Sequence, residues 1–198
     1  MKRLTLLLAC SLAMAVAQPA AAVPILQFTA DLTGPAEAPP NASPGLGTAL
    51  ITLDLGLHTM RVEASFSGLL GTVTASHIHC CTAVPGAGTA GVATTTPTFT
   101  GFPLGVMAGS YDHLFDMTLA SSFNAAFITN NGGTTASALN ALVTGMEGGK
   151  TYFNIHTTAF GGGEIRGFLQ PVPESSTLVL IAMGLAGLGA RRRGRPLP

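Results

Sequence analysis

The stretch SHIHCC, Ser76 to Cys81, sets two histidines one residue apart and follows them with two adjacent cysteines. Imidazole and thiolate are the natural ligands of zinc and copper. On an extended chain His77, His79 and Cys81 point to one side while Ile78 and Cys80 point to the other, and at roughly 3.3 Å per residue the two histidines stand about 6.6 Å apart. Two imidazoles at that spacing can bind one ion. A third candidate lies far along the chain in TYFNIHT, where alternation turns Phe153 and Ile155 to a core and Asn154 and His156 away from it. Were the two strands neighbours, His156 would complete a three-histidine set for Zn or Cu, with the Cys81 thiolate as a fourth ligand. The competing reading has the histidines hydrogen-bonding across the sheet and fixing its edges. No acidic residue in these segments offers itself as general base or as a partner that orients a ligand, which a catalytic zinc site requires. The sequence therefore predicts at most an adventitious or structural metal site, holding well under one equivalent of ion.

The cysteines carry a second question. Adjacent residues have Cα atoms about 3.8 Å apart, whereas disulfides ordinarily span roughly 4.4 to 6.8 Å. The other cysteine, Cys10, belongs to a segment expected to be removed. The choices are a strained vicinal bridge, a link between molecules, metal thiolates or two buried free thiols. The vicinal bridge Cys80–Cys81, stiffening the loop before TAVPGAGTAG, is the expectation.

Other residues with chemical potential have plainer readings. Glu164 and Arg166 in GGGEIRGF share a strand face as an exposed ion pair, worth under about 1 kcal/mol. Asp112 and His113 are chain neighbours that point apart on a strand, with no nucleophile motif beside them. His58 in LGLHTM reads as a turn residue. The glycine run before Glu164 lacks the lysine and the strand-to-helix context of a phosphate-binding loop.

The elements that must position these residues are strands. In ILQFTADL the residues Leu26, Phe28, Ala30 and Leu32 share one face, and in MRVEASF Met60, Val62, Ala64 and Phe66 alternate with Arg61, Glu63 and Ser65. ALITLDL and TYFNIHT alternate in the same way, and clusters such as GPAEAPPNASPGLG separate the runs. An all-β fold follows, an antiparallel β-sandwich or Greek-key barrel. One or two short helices are expected between Leu119 and Leu142, where TNNGGTT interrupts an Ala- and Ser-rich stretch. Apolar helices are expected at both ends of the chain.

The first end, residues 1–22, has Lys2 and Arg3 before an apolar run that closes on small residues at Ala22, the pattern of a signal peptide read by the export machinery. At the other end an apolar stretch from Ser175 to Ala190 would rise roughly 24 Å as a helix, short of a hydrocarbon core of about 30 Å. Arg191, Arg192, Arg193 and Arg195 follow it and would hold that end in the cytoplasm. Val172, Pro173 and Glu174, then the apolar stretch, then the arginines resemble the PEP-CTERM sorting signal of Gram-negative bacteria. The resemblance implies a transient inner-membrane anchor over residues 173–198 and cleavage by an exosortase. The usual Pro-Glu-Pro is Pro173-Glu174-Ser175 in this chain.

Between the ends, residues 23–172 form one domain. Three basic residues (Arg61, Lys150, Arg166) stand there against eight acidic ones, a net charge of −5. An acidic domain without a basic patch is excluded from binding nucleic acid, which is held mainly by neutralising phosphates.

Four blocks, FTADLTGPAEAPP, GTALITLD, SFSGLLGTVTASHIH and GGKTYFNIHTTAFGGGEIRGFL, resemble in this order the chordin-type (CHRD) domain over Ile25 to Leu169. The resemblance implies a β-rich extracellular module with no established catalytic residues. Here Cys80 and Cys81 follow HIH, where that motif continues into Gly and Pro. The function expected is a non-catalytic surface or matrix module that binds a polysaccharide or protein partner in the cell envelope or outside the cell. The alternative is a Cu/Zn protein or a superoxide-dismutase-like enzyme built on the H-x-H strand, although the five histidines are few for a two-metal site.

Overall fold

A computed structural model describes residues 24–173. The expected signal peptide, Glu174, the apolar stretch from Ser175 to Ala190 and Arg191 to Arg193 lie outside the described residues, and so do the expected terminal helices. Among the described residues no helix is long and apolar enough to cross a membrane.

The chain forms strands β1 (Ile25–Thr33), β2 (Leu46–Asp54), β3 (Thr59–Ser67), β4 (Val73–Cys80) and β5 (Gly109–Asp116). Helices α1 (Ala125–Asn130) and α2 (Thr135–Glu147) come next, then β6 (Thr151–Thr157), β7 (Ile165–Phe168) and the two-residue β8 (Gln170–Pro171). The strands make one antiparallel sheet in the order β4-β6-β7-β1-β2-β3-β5, with β8 added to β1. The sheet curls into a half-barrel.

The antiparallel all-β sheet and the two short helices are as expected, and the half-barrel stands in place of the expected β-sandwich or Greek-key barrel. Period-two alternation reports that one face of each strand is buried, not what buries it. Here the sheet curls over its own apolar face, and helices and loop aromatics complete the core in place of a second sheet. Phe28, Leu32, Ile51, Met60, Val62, Phe153 and Ile155 from the strands meet Phe99 and Phe102 from the β4–β5 connection and Leu139, Leu142 and Met146 from α2. The path of strands ends at β4 and β5 without joining them, so the barrel stays open.

Strand parity is as the sequence predicts. In β3 Met60, Val62, Ala64 and Phe66 are buried and Arg61 and Ser65 exposed, and in β1 Phe28, Ala30 and Leu32 are buried. The two expected short helices form at the places where the sequence allows them. Asn124 caps α1 by accepting from the Ala126 N–H, and Thr134 and Ser137 make a reciprocal capping box at the start of α2, which satisfies donors that a helix start otherwise leaves open. The residues between the helices, NGGT at 131–134, hold Gly132 and Gly133 at φ 95° and 75°, where side chains are disfavoured. His58 is the turn residue that its context suggests, in the β2–β3 turn at φ 54°.

One feature of strand parity departs from the sequence reading. β4 and β6 are buried on both faces: His77, His79, Tyr152 and Asn154, on the face opposite Ile78 and Phe153, are buried as well. The second face is roofed by residues 34–45 of the β1–β2 connection and by residues of the β4–β5 connection.

Phe153→Ala removes a fully buried ring and should cost about 3 to 5 kcal/mol through the cavity left behind. Glu63→Ala, which loses only the exposed pairing with Arg61 at 3.3 Å, should cost under about 1 kcal/mol. Urea titration of the two variants checks the difference, and equal losses would mean that the faces are assigned wrongly.

Candidate functional site

β4 and β6 pair antiparallel with His77 opposite Asn154, His79 opposite Tyr152 and Ala75 opposite His156. His77 and His79 are two residues apart on one face, and His156 sits diagonally across from His77 on that same face, so the pairing brings all three rings together. Ring centroids are 5.0 Å apart for His77 and His79, 4.8 Å for His77 and His156 and 6.0 Å for His79 and His156. One nitrogen from each ring lies within 4.8 Å of the other two.

Two of the rings are tied down from behind. His79 Nδ1 lies 2.9 Å from the Ala90 carbonyl and His156 Nδ1 lies 3.0 Å from the Gly161 carbonyl. A carbonyl can only accept, so both Nδ1 atoms carry the proton and donate it. The Pro97 carbonyl is the backbone acceptor beside His77. The opposite nitrogens, His77 Nδ1, His79 Nε2 and His156 Nε2, are buried without a partner. Tyr152 stacks on His79 at 4.6 Å with the planes 5° apart. The guanidinium of Arg166 lies 4.7 Å above that tyrosine ring.

Burial pushes His77 down to about 3, helped by the neighbouring His156 and His79 and opposed by the Pro97 hydrogen bond. Burial likewise pushes His79 down to about 4 against the pull of its Ala90 hydrogen bond. His156 is lowered for the same reason, with the Gly161 bond opposing. The three rings are neutral at physiological pH, and one nitrogen of each lies within 4.8 Å of the other two.

The roof over this face is itself fastened by buried charge. Arg166 and Glu37 face each other at 3.7 Å, both nearly fully buried, and Arg166 also donates to the carbonyls of Ala36 and Gly88. Burial raises Glu37 to about 7 despite the arginine. Glu164 is fully buried and accepts from Ser43 Oγ, Thr157 Oγ1 and the N–H groups of Leu70 and Gly71. Burial acts to raise its carboxyl, but these four hydrogen bonds outweigh it and hold the group below its ordinary value.

The exposed Glu164–Arg166 pair expected from the sequence is therefore not formed. Each of the two is buried with other partners, because loops that the strand pattern does not reveal cover them. Glu37, Asn41 and Ser43 escape the sequence reading altogether; the signal for them was the length of the polar connection after β1, too long for a hairpin turn. Asp112 does not serve His113 either, but takes a bidentate pair with Arg61 at 2.8 and 2.6 Å on the exposed face.

Cys81 is not brought to the histidines. The Sγ atoms of Cys80 and Cys81 are in contact with each other and pack on α2, where a Cβ added to Gly145 would lie 2.5 and 2.6 Å from them. Glycine at this helical position is thus a requirement of the cysteine pair. Val172, at the domain's end, donates its N–H to the Gln27 carbonyl at 2.8 Å.

Residues 28–169 match the family described as CHRD domain, and residues 171–193 match the PEP-CTERM protein-sorting motif. No curated protein and no solved structure matches the chain.

The neutral histidines give the metal-free protein a defined acid sensitivity. Their folded pKa values lie below the ordinary 6.5, so they contribute stability that is present above pH 6.5 and lost as the pH falls, because the unfolded chain takes up protons first. Each ring accounts for at most about 1.4 kcal/mol per pH unit. Glu37, raised from 4.5 to about 7, acts the opposite way: its contribution is full below pH 4.5 and disappears as the pH rises through 7. The histidines outnumber it. Stability in urea should fall between pH 6.5 and 4.5, and Glu37→Gln should steepen the fall. A flat profile would contradict neutral burial of the rings.

Proposed function

The chain belongs to the CHRD-domain family, and from that premise we propose that it is an exported, non-catalytic binding module of the Gram-negative cell envelope or extracellular matrix, delivered through its C-terminal sorting signal. The observation that carries this is the junction between domain and signal. β8 closes the domain on β1 at Gln170–Pro171, and the sorting motif begins at residue 171. The bond from Val172 to Gln27 is the last that the domain makes with the following chain among the described residues.

A cut beside Pro173 or Glu174 would thus free a complete domain, residues 23–172, and leave the apolar stretch and the arginines in the membrane. Residues 1–22 direct the chain to the export machinery, residues 173–198 hold it briefly in the inner membrane, and an exosortase-type enzyme releases it. In that oxidising compartment the two sulfurs in contact at Cys80 and Cys81 form a vicinal disulfide. The partner is a polysaccharide or a protein. The net charge of −5 between residues 23 and 172 speaks against nucleic acid. A superoxide-dismutase-like enzyme has less support, since His58 sits in a turn and His113 on β5, at the opposite edge of the sheet from β4. Three of five histidines meet, too few for a two-metal site.

Intact-mass measurement of the protein from its producing cells tests the sorting step. The dominant mature species should begin near Val23 and end near Pro173, and joint replacement of Arg191, Arg192 and Arg193 by Gln should make an uncleaved form accumulate. A dominant species that retains the arginines in the wild type would overturn the proposal.

A further inference from the structure

We propose that His77, His79 and His156 bind a single zinc or copper ion through His77 Nδ1, His79 Nε2 and His156 Nε2, as a built site of the folded domain. The ring nitrogens named are the three that the fold leaves buried and unpartnered, and one nitrogen of each of these rings lies within 4.8 Å of the other two.

The chemistry of the gap selects its occupant. His79 and His156 spend their N–H groups on the carbonyls of Ala90 and Gly161, so the nitrogens that they leave over carry lone pairs, and His77 Nδ1 is the third buried nitrogen without a partner. An anion or a carbonyl would add acceptors to acceptors. A water molecule has two protons and could satisfy two of the three. A metal cation accepts all three pairs at once, and ligating histidines characteristically have their other nitrogen held by such an acceptor. Ligand type then narrows the metal. Calcium and magnesium want oxygen ligands, and the group contains only imidazole, which suits zinc and copper.

The geometry is close to that of a loaded site. For an ion bound at about 2.0 to 2.1 Å to each nitrogen, tetrahedral ligand atoms are separated by roughly 3.3 Å, against a present maximum of 4.8 Å. The widest ring separation is that between His79 and His156, at 6.0 Å, and His156 is the least buried of the three. A small swing of His156, the least enclosed ring, closes the set.

The sequence pointed to weak or adventitious binding because no acidic residue offers itself as an orienting group. The orienting groups are backbone carbonyls instead, and that argument lapses.

The test uses the mature protein purified from its producing cells, stripped with chelator and titrated separately with Zn²⁺ and Cu²⁺ under calorimetry. One equivalent of at least one ion is expected. At a hundredfold excess over Kd, the melting temperature should rise by roughly 5 to 10 °C. His156→Gln, at the half-exposed position, should weaken binding at least tenfold, His77→Ala should abolish it, and His113→Ala should leave it unchanged. Circular dichroism identifies a variant that fails to fold. X-ray absorption on the loaded wild type reads the site without any substitution and should show three imidazole nitrogens near 2.0 Å. Failure of both ions to bind, binding that survives His77→Ala and His156→Gln together, or fewer than three imidazoles in the absorption spectrum would each overturn the proposal. The outcome is independent of where the tail is cut.

Discussion

A fully buried carboxylate, Glu164, fixes how the connections meet the sheet. Burying it as an anion costs several kcal/mol unless each lone pair finds a donor, and here four donors come from separated parts of the chain. Ser43 belongs to the β1–β2 connection, Leu70 and Gly71 to the β3–β4 connection and Thr157 to the end of β6. Hydrogen bonds to a charged group contribute about 1.5 to 3 kcal/mol each, so one side chain fastens three segments at one end of the half-barrel. Asn41 reinforces the joint through the carbonyls of Gly163 and Glu164 at 3.3 and 3.0 Å. The β6–β7 turn held in this way contains Gly161, whose carbonyl orients His156. The geometry of the histidines therefore depends on a carboxylate that touches none of them.

A second constraint follows from roofing a polar sheet face. Arg166 and His79 are enclosed, so the roof itself supplies their partners. Arg166 shows how this is met. Its guanidinium donates to two loop carbonyls, faces Glu37 and lies over Tyr152 and Phe168 at 4.7 and 5.6 Å. Tyr152 passes that order on to His79 by stacking. Gly163, at φ 131°, lets the β6–β7 turn close against Glu37 and Asn154, where a Cβ would have no room.

Legibility in the sequence follows the range of the interactions involved. Alternation is local, so the core residues of β1, β3 and β6 could be read directly, and with them the common face of His77 and His79. The caps at Asn124 and Thr134 are local as well. The single curled sheet could not be read, because the same alternation serves a sandwich, a barrel or a half-barrel closed by helices. The roof was hidden for a related reason: Glu37, Ser43 and Ala90 act on strands far from them in sequence, and loop composition does not say which strand a loop will cover. The groups that orient the histidines are the least legible of all. A backbone carbonyl is the same at every position, so no letter marks Ala90, Pro97 or Gly161 for that part, whereas an aspartate doing the same work would have been visible.

This hidden support bears on what the histidines are for. If three rings merely bridged strands across the sheet, each would pair both nitrogens with the sheet or the roof. Instead His79 and His156 each keep one nitrogen for a backbone carbonyl, and all three clustered rings leave one nitrogen buried and unpaired, at a cost of about 1 to 3 kcal/mol per group. The rings cannot relieve the cost one at a time, because turning His79 gives up the Ala90 bond and the stack on Tyr152, and turning His156 gives up Gly161. A cation at the centre relieves all three together and leaves every orienting bond in place. The β4–β5 connection and the β6–β7 turn supply the orienting carbonyls, so an ion bound there would also hold both segments down on the sheet, and metal affinity and the order of the roof would rise and fall together.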